Sequence, residues 1–196
     1  MIERRSYPDY ESYVRHQLGE EWHSPTTVEI MLGRLDHLLL NHWIGEHTRA
    51  LCLGARRGEE VAALRRLGIA ARGINLKPMP PASNPSLVEQ GDFNRLVETF
   101  GAHSFDLAYT NSIDHAFDLR MMFEQVHGVL SQSGIFVVDF FPGAFGPFEA
   151  MKIETIDDVL GAAKVIFKLT EQYNDGVLPG IYKVYQNIQL VFIRNP

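Results

Sequence analysis

Cysteine is nearly missing from this chain: Cys52 is the only one in 196 residues. No intramolecular disulfide can form, and the composition suits a reducing compartment. Basic residues are outnumbered, with 18 Lys and Arg against 24 Asp and Glu, which leaves a net charge of −6 and a pI near 5.7. No overall field draws in a polyanion, so a nucleic-acid partner is disfavoured. No apolar run approaches the ~20 residues needed to cross a bilayer. The opening MIERRSYPDY lacks the apolar segment of a secretion signal. The expectation is a cytoplasmic protein without a membrane partner. Internal repeats and low-complexity tracts are also missing. What is present is ordinary globular composition, 45% hydrophobic and 21% charged, in a length that suits one domain with a full core.

Residues 1–48 read as a helical arm. One short helix is expected around Tyr10 to Leu18, in a stretch that also carries Tyr7, Tyr13 and Trp22. For a second helix, Ser24 suits the N-cap and Pro25 the first helical position. Val28, Met31, Leu32, Leu35, Leu38, Leu39 and Trp43 then recur at helical spacing until Gly45, which is expected to end it. His37, His42 and His47 are spaced by five, which turns consecutive rings about 140° apart on a helix. They do not converge, and no metal site is expected there.

From Arg49 strands and helices alternate. The expected strands are Leu51 to Leu53, Ala71 to Leu76, Ser86 to Gln90, Phe105 to Thr110 and Gly134 to Phe140. The intervening helices are Glu59 to Leu67, Phe93 to Phe100 and Phe117 to Leu130, with a Pro-rich loop over Lys77 to Pro85. Such alternation implies a mostly parallel sheet covered on both faces. After a helix around Asp157 to Lys168, the segment IYKVYQNIQLVFI alternates, and the turn-rich NDGVLPG before it implies antiparallel pairing with a strand near Leu169 to Tyr173. Ligands of open α/β sheets bind at the C-terminal ends of the strands. Gly54 and Gly58 stand at such an end, and so do Asn111 and Ser112. The two glycines suit either close approach of a ligand or simply a tight strand-to-helix turn. DFFPGAFGPFEAM, with Phe140, Phe141, Phe145 and Phe148, follows the central strand at the same edge, as an apolar lid or as a loop folded onto the core.

Over roughly Arg49 to Ile193 these pieces resemble the class I S-adenosylmethionine-dependent methyltransferases. The matching segments are LCLGARRGEEV, GINL, QGDF, SFDLAYTNSIDHAFD and LSQSGIFVVDF. The resemblance implies a three-layer Rossmann-like core over 49–193, with a seven-stranded sheet ending in an antiparallel hairpin and N-terminal helices in front of it. It implies S-adenosylmethionine as cofactor, held by the first motif (Gly54, Ala55, Arg56, Gly58), by Asn75 and Leu76 at the ribose, by Asp92 and Phe93 at the adenine, and by Asn111. Asp92 also reads as the N-cap of the helix that follows it. Three positions depart from the family pattern: Cys52 and Asn75 stand where carboxylates are usual, and Arg56 where a further glycine is usual. An amide at Asn75 accepts hydrogen bonds without charge, which implies weakened cofactor binding.

Asn111-Ser112-Ile113-Asp114 is not the Asn/Asp-Pro-Pro-aromatic motif of enzymes that methylate exocyclic base amines, so a small-molecule acceptor is expected. His115 is the candidate base, since an unperturbed imidazole titrates near 6.5; equally, it begins the next helix. The altered contacts also fit a methyltransferase-like protein that has lost catalysis and serves as a binding or assembly partner. A nicotinamide-dependent enzyme is disfavoured, because LGARRGEE lacks the Gly-x-Gly-x-x-Gly pattern.

Overall fold

A computed structural model describes residues 2–19, 27–77, 87–175 and 187–195. In chain order the elements are β1 (Glu3–Arg4), α1 (Tyr10–Leu18), α2 (Val28–Leu40), β2 (Arg49–Leu53), α3 (Glu59–Arg66), β3 (Ala70–Asn75), β4 (Val88–Gln90), α4 (Leu96–Phe100), β5 (Phe105–Thr110), α5 (Leu119–Val129), β6 (Leu130–Phe140), β7 (Met151–Lys152), α6 (Ile156–Ala163), β8 (Phe167–Asp175) and β9 (Asn187–Arg194). Short 3₁₀ turns over Phe93–Arg95 and Ile113–His115 precede α4 and α5.

The central strands are apolar on both sides, which requires cover on both faces. Every residue of β2 after Arg49 is buried, and so is every residue of β6 from Gly134 onward. Alternate residues point to opposite faces. Phe136, Val138 and Phe140 of β6 pack with Phe123 and Val126 of α5 and with Val159 of α6. Ile135 and Val137 pack on the other side with Met31, Leu35 and Leu38 of α2 and with Val61 and Leu64 of α3. The result is three layers around one sheet of seven strands, ordered β4-β3-β2-β5-β6-β9-β8. The first five are parallel, while β9 runs antiparallel between β6 and β8. This is the expected class, a mostly parallel seven-stranded sheet closed by an antiparallel pair. Among the described residues no helix is long and apolar enough to cross a membrane.

Several boundaries differ from expectation. Ser24, Pro25 and most of the Pro-rich loop lie outside the described residues, as do Tyr182 and Val184. The described part of α2 is capped by Thr27, whose Oγ1 accepts from the Ile30 amide at 3.2 Å. It stops at Leu40 rather than Gly45, because His42 takes a left-handed backbone (φ 59°). His42 and His47 therefore lie beyond the helix, and His37 sets its ring edge-on to Tyr173 with centroids 4.5 Å apart. Lys168 belongs to β8 rather than to the preceding helix, which the left-handed Val165 (φ 79°) has already ended. Phe93 to Phe100 is a 3₁₀ turn followed by one turn of α-helix, and α5 begins two residues late behind the Asp118 cap. A small second sheet pairs β1 with β7 and ties the start of the chain to the segment after β6.

The face under α2 and α3 also holds charge. Arg34 and Asp139, 4% and 0% exposed, face one another at 3.8 Å, and the Tyr109 hydroxyl donates to Asp139 at 2.6 Å. Glu60, on the buried side of α3, has its carboxyl pushed up to about 8, chiefly by burial and less by the neighbouring Glu59. Between about 4.5 and about 8 the folded protein holds a proton that the unfolded chain has released. Stability from this group is therefore full below 4.5 and declines as pH rises through that window. Glu60→Gln should remove the decline. In urea denaturation the variant should match wild type near pH 4.5 and exceed it at pH 8 by roughly 4 kcal/mol. A difference independent of pH would contradict the burial of an ionisable carboxyl there.

Candidate active site

The parallel strands β4, β3, β2, β5 and β6 all end on one edge, and the turns that leave them form the site. After β2 the chain reverses within five residues. The amides of Gly54 and Ala55 both donate to the Ile74 carbonyl, at 2.9 and 3.1 Å, which fastens the turn to the end of β3. Gly54 has φ 71°, and a Cβ there would stand 2.7 Å from Cβ and Oγ of Ser112 beyond β5. Only glycine satisfies both demands. Arg56 itself has a left-handed backbone at φ 35°, the conformation a glycine adopts without cost. Gly58 (φ 81°) then starts α3 without a side-chain cap.

The neighbouring ends carry the other expected residues. Asn75 closes β3, and its Nδ2 donates to the Lys77 carbonyl, leaving Oδ1 as its accepting atom; Leu76 beside it is half-buried. Asp92 follows β4 and is an N-cap, its Oδ1 accepting from the Asn94 amide at 2.8 Å and from Asn94 Nδ2 at 2.9 Å. Its Oδ2 accepts from the Tyr10 hydroxyl. Phe93 is 9% exposed and packs into the core with Ile74 and Leu96. Asn111 follows β5, where its Oδ1 accepts from Ser112 Oγ at 3.2 Å. Gly54, Ala55, Arg56, Asn75, Asp92, Asn111 and His115 thus share one edge.

Over this edge lies α1. Asp9 caps it, accepting from the Ser12 amide at 2.7 Å, and Tyr10, Tyr13 and Gln17 fall at i, i+3 and i+7 on one side. Tyr13 donates to the His115 carbonyl at 2.8 Å, and Gln17 Oε1 lies 3.0 Å from His115 Nδ1. The phenylalanine-rich loop after β6 is bound to the same arm. Gln17 Nε2 donates to the Phe148 carbonyl at 2.7 Å, and Arg5 Nε donates to the Glu149 carbonyl, also at 2.7 Å. Arg5 covers the Phe145 ring at 4.8 Å, and His16 stacks on Phe148. Sequence reasoning left Tyr10, Tyr13, Gln17 and Arg5 without a role; the i, i+3, i+7 spacing was the available signal.

His115 is held at the centre. Burial first, then the charges of Arg56 and His16, push its imidazole down to about 3. At neutral pH the ring is uncharged. Its Nε2 lies 3.5 Å from Arg56 Nη2 and 4.0 Å from Asp114 Oδ1. Among the described residues, Asp114, His115 and Glu149 form the group able to hold a cation, with donor atoms within 4.8 Å of one another; the positive charge facing them is Arg56. On the outer side of Phe145 an open cavity of about 490 Å³ is lined by Arg4, Arg5, Tyr7 and His16.

Neither a family model nor a curated protein matches the chain. Solved structures do. The Burkholderia thailandensis 1,6-didemethyltoxoflavin-N1-methyltransferase, with 1,6-didemethyltoxoflavin and S-adenosylhomocysteine bound, is 16% identical with a TM-score of 0.68, over 100% of this chain and 95% of that one. The Streptomyces coelicolor geranyl diphosphate C-methyltransferase, in complex with Mg²⁺, geranyl diphosphate and S-adenosylhomocysteine, is 17% identical with a TM-score of 0.62, over 97% and 100%. A SAM-dependent methyltransferase from Methanosarcina mazei is 13% identical with a TM-score of 0.64, over 80% and 96%. The fold of this chain is that of the class I methyltransferases.

The Gly54–Ser112 contact gives a direct check on the geometry of the first turn. Gly54→Ala should lose about 2 kcal/mol in urea denaturation, from a left-handed backbone and a steric clash together. Adding Ser112→Gly should recover the clash and leave about 1 kcal/mol of backbone strain. A single variant as stable as wild type would contradict the turn described here.

Proposed function

We propose that the chain is an S-adenosylmethionine-dependent methyltransferase acting on a small molecule in the cytoplasm, with residues 1–48 as an arm that closes the site of the 49–193 core. The observation that carries this reading is the placement of the Gly54–Gly58 turn, Asn75, Asp92 and Asn111 at the ends of four parallel strands along one edge of a sheet with this order. Two of the similar structures hold S-adenosylhomocysteine, which supports the choice of cofactor.

The residues fit such a ligand end to end. Asn75 Oδ1 offers an acceptor to ribose hydroxyls and Asp92 one to an adenine amine. Arg56 offers the cation, and the close-packed backbone at Gly54 the approach, for a carboxylate. Bound S-adenosylmethionine would supply a methyl group already activated on sulfur, so the chain's own task is to align the acceptor and exclude water. Here α1 and the 141–150 loop, tied together through Gln17 and Arg5, form the cover. Asp114 and Glu149 stand beside His115 under the same cover.

A second reading has its own observation. Both Asp92 oxygens already accept bonds, from Asn94 and Tyr10, and Arg56 faces His115. A methyltransferase-like binding or assembly protein without catalysis would keep such contacts permanently. Calorimetric titration with S-adenosylmethionine and S-adenosylhomocysteine separates the two. The enzyme reading predicts saturable binding of both, and binding of neither at millimolar ligand would overturn it. It also predicts that Asn75→Asp tightens binding by roughly fivefold or more through a charge-assisted bond. The loss of the amide's bond to Lys77 would be read separately as a lower Tm.

A further inference from the structure

We propose that Gln17 is a positioning residue for His115: from α1 it holds the ring in the Nδ1–H tautomer, so that Nε2 is presented to the site as a bare hydrogen-bond acceptor. The Phe148 carbonyl can only accept. The Gln17 amide nitrogen stands 2.7 Å from that oxygen and must be the group facing it. A flipped amide would set two oxygens against each other at that distance. Gln17 Oε1 is thereby turned to His115 Nδ1 at 3.0 Å, and since Oε1 also only accepts, the hydrogen between them belongs to Nδ1. The backbone is held as well, by the Tyr13 hydroxyl on the His115 carbonyl.

The groups facing the other nitrogen decide its state. Arg56 approaches Nε2 at 3.5 Å, Asp114 at 4.0 Å, and Glu149 brings a carboxylate oxygen within the same 4.8 Å cluster. The Arg56 guanidinium carries only donors, so the ring nitrogen it faces is the one left with the lone pair. One nitrogen is thereby assigned as donor from outside the site and the other as acceptor inside it; burial and the charges of Arg56 and His16 oppose a second proton, against the pull of the Asp114 carboxylate. Arg56 Nη2, at a distance too long for a good bond, is the donor now nearest that lone pair. A ligand bearing an O–H or N–H replaces it more favourably. On the methyltransferase reading, that ligand is the methyl acceptor, and His115 orients it without storing its proton.

The test needs neither cofactor nor substrate, so it stands or falls apart from the methyltransferase reading. The full-length chain labelled with ¹⁵N-histidine is followed by long-range ¹H–¹⁵N correlation from pH 5 to 8, with a His115→Asn sample assigning the ring among the eight histidines. The expected result for the neutral ring is a protonated Nδ1 and an unprotonated Nε2. Gln17→Leu should move the proton toward Nε2, so that the two nitrogen signals change places or average. Gln17→Glu, read at the acidic end of the range where a protonated carboxyl still donates to the Phe148 carbonyl through one oxygen and accepts from Nδ1 through the other, should keep the wild-type tautomer. A neutral wild-type ring protonated at Nε2 overturns the proposal. So does a folded Gln17→Leu variant with an unchanged tautomer. Should Gln17→Leu fail to fold, the wild-type spectrum alone decides the tautomer, and Gln17→Glu the dependence on an acceptor at residue 17.

Discussion

The sealing of both sheet faces is the constraint on which the rest of the molecule depends. Strands apolar on both sides bury Leu51 and Phe136 on one face and Cys52 and Val137 on the other only if helices cover each layer, and α4, α5 and α6 on the first side and α2 and α3 on the second do so. Once they have, neither face has room for a ligand. What is left is the edge where the parallel strands end, and there the chain places the turns that leave them. The buried pair of Arg34 and Asp139 belongs to the same constraint, since it fixes α2 against β6 by charge as well as by packing. Removing one partner would leave the other charge stranded in the core.

The edge is built by two different means. The Gly54–Gly58 turn is local: its conformations are set by residues adjacent in the chain, and Ser112 fills the space that the missing Cβ leaves. The cover is remote. Tyr10, Tyr13 and Gln17 reach residues 82, 102 and 131 positions away, and Arg5 reaches Glu149 from 144 positions away. One helix thereby touches the turn after β4, the 3₁₀ turn after β5 and the loop after β6. Two of these residues, Tyr13 and Gln17, meet at His115, one on its backbone carbonyl and one on its ring.

The same division explains what was legible in the sequence. The βαβ pattern, the glycines of the first turn and the terminal hairpin were readable because hydrophobic alternation and turn chemistry are short-range signals. Asp92 as a cap was readable for the same reason. The role of α1 was not, because three polar residues on a short helix carry no mark of which distant oxygens they will meet. The end of α2 was misplaced because a left-handed histidine, His42, did the work expected of Gly45. Phe93 was expected beside a ligand and packs into the core, since its 3₁₀ turn directs it toward Ile74 and Leu96. For His115 the residue was legible but its state was not: an imidazole's ordinary value near 6.5 says nothing of the burial and the guanidinium that push it to about 3.

The proposed cofactor site lies along this edge, beneath α1, and a crystal structure of the protein grown with S-adenosylhomocysteine probes it without recourse to activity. The expected result is the ligand with its adenine amine at Asp92, its ribose hydroxyls at Asn75 and its carboxylate at the Gly54–Arg56 turn. The same ligand bound elsewhere, such as in the cavity beside Phe145, or a structure in which the Asp92–Tyr10 contact closes that edge against it, would overturn the assignment.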